Sequence, residues 1–226
     1  MNASAADIAQ YVLTGRGMVN ALDYGSVVVF ALTGALVASR SQLDVVGFIF
    51  IACLTAVGGG TTRDVLLNRP VFWIETPSLL LAAALAAVLV FFTAHLLESR
   101  YRTLLWLDAC ALAIAVPAGV GVAAQADLSW PVILLAGMIT GCIGGLMRDV
   151  VCNEVPLVLK QGELYVTAAF AGAAAALLIR HFGGSGQMAL LGCAAATFVL
   201  RAGSLWFGWR LPVYKPMPPR PGAPKK

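Results

Sequence analysis

The chain has 226 residues, 60% of them hydrophobic and only 12% charged, with a net charge of +4 and a mean hydropathy of +0.85. Soluble domains carry about 25% charged residues, so this composition excludes a soluble enzyme or a nucleic-acid-binding module and makes lipid the solvent. The expected fold class is an all-α integral membrane protein.

Seven apolar stretches predict seven membrane-spanning helices, at 20–39, 45–67, 78–97, 105–124, 131–152, 164–181 and 187–207. A hydrocarbon core about 30 Å thick needs roughly 20 apolar residues at 1.5 Å rise. Helices are expected because lipid offers no partner to an unpaired backbone group. Residues 1–19 read as an N-terminal segment: Asp7 and a mixed polar run precede the first helix, with no basic start or cleavage site of a signal peptide. Residues 20–98 form a first three-helix unit, 105–183 a second, and 187–207 a seventh helix. Residues 208–226 form a flexible, proline-rich tail, YKPMPPRPGAPKK at its end, whose basic side chains suit the neighbourhood of anionic membrane lipid.

The two units repeat one motif. GGGTTRDVLLNRP at 58–70 and GGLMRDVVCNEVP at 144–156 share GG-x-x-RD-V-x-x-N, with Asp64 and Asp149 lying 85 positions apart. At that fixed offset Asp23 meets Asp108, Gly34 meets Gly119, Leu43 meets Leu128, Thr55 meets Thr140, and Asn68 meets Asn153. Three helices per unit is an odd number, so the second copy must enter the membrane from the opposite side, giving an inverted repeat with a helix left over. Transport proteins built this way place their site near the midplane at interrupted helices, and the glycine pairs are the expected interruptions.

Residues four apart share a helix face, so Thr55, Gly59 and Arg63 form one stripe and Thr140, Gly144 and Arg148 its counterpart. Adjacent glycines lower the cost of a bend that frees carbonyls for an ion, and threonine offers a hydroxyl to replace a lost bond. The alternative is close helix packing, the preferred reading for Gly34, Gly119, Gly137 and Gly141; the kink is preferred for Gly59 with Gly60 and Gly144 with Gly145. A charge deep in the bilayer costs several kcal/mol unless paired or wet. Arg63, Asp64, Arg148 and Asp149 are therefore expected to face the interior. Depth pairs Asp23 with Arg63 and Asp108 with Arg148, the alternative being that each aspartate is only an N-cap. Arg201 reads as a snorkelling side chain near the interface.

Orientation follows from basic residues. With the N-terminus outside, the inner loops and tail hold nine Lys and Arg against Arg16, Arg69 and Arg180 outside, which favours an outside N-terminus and a cytoplasmic C-terminus. Cys53, Cys110, Cys142, Cys152 and Cys193 have no C-x-x-C spacing and read as packing residues. His95 and His181 fall at helix ends and are not expected to be ligands. No cofactor or metal is expected.

Two three-helix units, each with GG-x-x-RD in its middle helix and followed by one extra helix, resemble the prokaryotic branch of the trimeric intracellular cation channel family. Its halves are also known as the "glycine transporter" or UPF0126 domain. The resemblance covers about residues 20–207. It implies a homotrimer with one hourglass-shaped pathway per subunit for potassium and other monovalent cations, lined by the kinked second and fifth helices. Gly59, Gly60, Gly144 and Gly145 would be the kinks, and Arg63 and Arg148 with their aspartates would shape or gate the pore. The animal members' lysine-containing K-E-V sequence is absent, so their lipid gating is not carried over. A prokaryotic source would place the protein in the cytoplasmic membrane. Three function classes remain: a passive cation channel, a secondary transporter in which an arginine holds the carboxylate of glycine or another small zwitterion, and an enzyme or a purely structural membrane protein. The enzyme reading has no Ser-His-Asp, Cys-His or phosphate-loop arrangement behind it.

Overall fold

The computed structural model describes residues 15–96, 100–160 and 163–212. Seven helices organise it: α1 (Gly15–Arg40), α2 (Val45–Leu66), α3 (Ser78–Thr93), α4 (Arg100–Gln125), α5 (Trp130–Val151), α6 (Val166–His181) and α7 (Gly186–Phe207). A single helical turn, Phe72–Glu75, joins α2 to α3, and a 3-10 turn, Leu157–Leu159, stands at the matching place between α5 and α6. All regular structure among the described residues is helical. The tail residues beyond 212 and the first fourteen residues, which carry two of the expectations above, lie outside the described residues.

Among the described residues six helices are long and apolar enough to cross a membrane, which makes this a multi-pass membrane protein; α6 is the exception. The stretch expected to span over 164–181 is helical only from Val166, for 16 residues, which reaches about 24 Å. Its first residues are spent on tertiary contacts: the Leu164 N–H donates to Ser204 Oγ of α7, and Tyr165 takes the N-cap position. The first helix differs the other way, starting at Gly15 rather than near residue 20. Asp23 and Asp108 therefore sit about two turns inside α1 and α4, so the N-cap alternative falls.

α4 is the most buried span. One apolar core gathers α1, α2 and α3 around Phe30, Leu36, Phe48 and Ile51. A second gathers α4 to α7 around Leu112, Val116, Ala169 and Cys193. Phe50, Leu81, Leu85, Phe92, Leu135 and Leu191 point outward, as suits a lipid-facing surface.

The repeated asparagine of the motif has a local cause. Asn68 (φ 50°) and Asn153 (φ 54°) are left-handed residues just past α2 and α5, and Gln42 and Asp127 take the same conformation past α1 and α4. Behind each, two backbone bonds close the helix: the Arg69 N–H donates to Asp64 O and the Asn68 N–H to Val65 O, mirrored by Glu154 to Asp149 O and Asn153 to Val150 O. This is the Schellman ending, and asparagine is among the few residues other than glycine that visit that conformation cheaply.

Candidate functional site: two buried charge centres and a helix crossing

Arg63, near the end of α2, is 2% exposed. Its Nη1 donates to Asp23 Oδ1 of α1 at 3.2 Å and its Nε to Asp64 Oδ1 at 2.9 Å. Asp64 holds the chain beyond the helix as well: its Oδ2 accepts from the Phe72 N–H at 3.0 Å. The Phe72 ring lies against the guanidinium, 5.5 Å from ring centre to Cζ. One carboxylate thus fixes both the arginine and the turn that covers it.

The second centre repeats this bond for bond. Arg148 of α5, fully buried, donates from Nη1 to Asp108 Oδ1 of α4 at 3.0 Å and from Nε to Asp149 Oδ1 at 2.8 Å. Asp149 Oδ2 accepts from the Leu157 N–H at 2.9 Å, and Leu157 is the residue 85 positions after Phe72. Two features break the symmetry. Arg148 Nη1 also donates to Thr33 Oγ1 of α1 at 2.8 Å, where the position equivalent to Thr33 is Ala118. The aromatic residue beside this centre is Tyr165, just before α6 and itself buried; its hydroxyl faces Gly145 and its ring lies against Arg201.

The glycine pairs lie between the centres. The expected interruption of the helices is not found: α2 and α5 are continuous α-helix through 58–60 and 144–145. The threonine hydroxyls replace no lost bond either. Thr55 donates to Ile51 O at 2.6 Å and Thr140 to Ala136 O at 2.7 Å, each one turn back in its own helix. What needs glycine is the crossing of α2 over α5. A methyl group on Gly59 would run into the Thr140 carbonyl, and one on Gly144 into the Thr55 carbonyl, both well inside contact distance. Gly60 and Gly145 face Phe72 and Tyr165 instead, with a methyl on Gly60 only 2.6 Å from the Phe72 ring. Gly34 and Gly119 let α1 and α4 approach Thr55 and Thr140 in the same way. Small residues let helix backbones meet where apolar burial gives no drive inside lipid.

Access differs between the centres. A cavity of about 540 Å³ opens onto the first, reaching Asp23, Arg63 and Asp64 past Arg69, Glu75 and Gln125. Asp108 and Arg148 are both sealed, at 0% exposure. Each centre sets two carboxylates against one guanidinium, a formal charge of −1. That arrangement removes the barrier a lone buried arginine would raise to a cation and favours cations over anions beside the crossing.

Three participants carried no readable signal. Thr33, Phe72 and Tyr165 look like ordinary apolar-helix or loop residues, and only the eight-residue step from each motif aspartate to a backbone donor repeats. Arg201 corrects the snorkelling expectation: it is 0% exposed, its Nη2 lies 2.8 Å from Glu163 Oε2, and its guanidinium sits 5.0 Å over the Tyr165 ring. A buried guanidinium stays inside because a carboxylate and an aromatic face meet it there.

The family model described as Glycine transporter matches this chain twice, at residues 20–95 and 105–181. A UPF0126 membrane protein of Vibrio cholerae is 35% identical over 199 residues, covering 85% of this chain and 81% of the relative. The UPF0126 inner membrane protein YadS of Escherichia coli K12 is 38% identical over 156 residues, covering 67% and 73%. Among solved structures, the TRIC trimeric intracellular cation channel orthologue from Rhodobacter sphaeroides aligns with a TM-score of 0.82 and 42% identity, covering 84% of this chain and 98% of that one. The two segments matched by the family model include both charge centres and the crossing between them, and on these matches the chain belongs to the UPF0126 family of membrane proteins that includes the prokaryotic trimeric intracellular cation channels, a family of channels rather than enzymes.

Proposed function

We propose that this protein is a homotrimeric channel for potassium and other monovalent cations, with one pore per subunit running along the crossing of α2 and α5 between the two charge centres. The observation that carries the reading is the net −1 charge of each centre beside a crossing built of glycine and backbone carbonyl, in a chain 42% identical to a trimeric intracellular cation channel orthologue. The three-helix units act as an inverted repeat, with α6 as the third helix of the second and α7 added. The N-terminus lies outside and the C-terminus in the cytoplasm, on the inner membrane, so the cavity over Asp23, Arg63 and Asp64 is the external vestibule. Gly59, Gly60, Gly144, Gly145, Thr55 and Thr140 form the narrow part, and the arginine–aspartate groups set its charge.

Purified protein in potassium-loaded liposomes tests this. The expected outcome is potassium efflux that does not saturate with concentration and is indifferent to glycine. Saturable glycine uptake with no independent potassium leak would establish the carrier reading instead.

A further inference from the structure

The two repeats match in backbone but differ in charge at the turns that follow α2 and α5. Glu75, on the turn after α2, lines the open cavity and is exposed, with no ion pair among the described residues. The residue 85 positions on, at the matching place after α5, is Lys160. Its ammonium donates to the Tyr101 hydroxyl and sits 4.7 Å over that ring. The neighbouring rim positions are exchanged too. Arg69 on the first face corresponds to Glu154 on the second; Arg69 donates to Val122 O at 3.4 Å, whereas Glu154 meets Arg40 at 3.3 Å. The counterpart of Arg40 is the neutral Gln125.

These exchanges leave the two faces unequal. At the first, Asp23, Asp64 and Glu75 stand against Arg63 and Arg69, one negative charge in excess. At the second, Asp108, Asp149 and Glu154 stand against Arg148, Arg40 and Lys160, which cancel. Glu75 is the one of this cavity's three carboxylates without a guanidinium within ion-pair distance among the described residues, and it is exposed where it lines the open cavity. A charge so placed raises the local concentration of the opposite ion, an effect that salt screens.

We infer that Glu75 is the rim carboxylate that draws cations into the pathway at this mouth, and that its repeat partner Lys160 withholds the same help at the other, so the channel rectifies. This rests on the channel reading above and adds to it a residue that sets conductance and direction. The motif residues repeat from one centre to the other; the rim exchange gives the two faces different charge.

The test is single-channel current at both polarities for the wild type and for Glu75→Gln, Glu75→Lys and Lys160→Gln, in about 0.01 M and about 1 M potassium chloride, where the screening length is roughly 30 Å and 3 Å. The wild type at low salt is expected to pass more current when cations enter from the Glu75 face. Glu75→Gln should reduce that branch about twofold, the effect of one unit charge roughly 7 Å away in water. Glu75→Lys should invert the asymmetry, Lys160→Gln should raise the opposite branch, and all of these differences should collapse at high salt. Unchanged currents at both polarities in the Glu75 variants, or changes that persist undiminished at about 1 M, would overturn the inference while leaving the channel intact. A wild type that passes no unitary current at all would overturn the channel reading itself, and this inference with it.

Discussion

Replacing Arg148 with glutamine is expected to destabilise the protein by about 3–5 kcal/mol, the cost of breaking a buried ion pair and leaving its partner charged and dry. The reason is local: Asp108 and Asp149 both point at this guanidinium from sites that are 0% and 2% exposed, and glutamine cannot neutralise either. In a purified sample the melting temperature should fall by roughly 10 °C. Adding Asp108→Asn should restore part of the loss, since the second change removes the stranded charge and couples to the first by about 0.5–3 kcal/mol. Arg63→Gln should cost roughly half as much, because its partner Asp23 lines a cavity that water can enter. Equal losses for the two arginine variants would contradict the difference in access described here, and an unaffected Arg148→Gln protein would contradict the pairing as a source of stability.

The second large effect concerns the crossing. Alanine at Gly59 or Gly144 would gain about 1 kcal/mol of helix propensity but set its methyl group against a backbone carbonyl of the opposite helix. Backbone cannot swing aside as a side chain does. The overpacking cost should therefore lie at the upper end of about 1–3 kcal/mol and outweigh the gain, lowering the melting temperature and any conductance together. Gly60→Ala is the control. Its methyl would meet the edge of the Phe72 ring, a side chain on a short, half-buried turn, so stability should change by less than about 1 kcal/mol. If thermal melting shows Gly59→Ala and Gly60→Ala to be equally mild, α2 and α5 do not meet as closely as this.

Much of this arrangement was legible because charge in lipid is expensive. Arg63 and Arg148 had to have counter-charges at their own depth, and the 85-residue repeat made Asp23 and Asp108 stand out against a background of alanine and leucine. The all-helical membrane fold and its family were readable for the same reason, from composition and one duplicated motif. The glycine pairs misled in part. A pair of glycines lowers the cost of a bend and also admits a neighbouring backbone, and nothing in one chain's sequence says which use prevails; the answer lies in the Thr140 and Thr55 carbonyls, 81 and 89 positions away along the chain. The burial of Arg201 is not legible in the sequence because its partner Glu163 lies in a loop whose path depends on where α6 begins. The shortness of α6 follows in turn from Leu164 and Tyr165 packing on α7 and α5, contacts that hydropathy does not encode.

The crossing of α2 and α5 between two net-negative arginine centres is the proposed potassium pathway of each subunit. Recording wild-type protein in a planar bilayer with symmetric potassium chloride tests it most directly. Discrete unitary currents are expected that reverse near zero voltage and, under a potassium chloride gradient, shift their reversal toward the potassium equilibrium potential. A silent bilayer from folded protein, or a reversal toward the chloride potential, would contradict it.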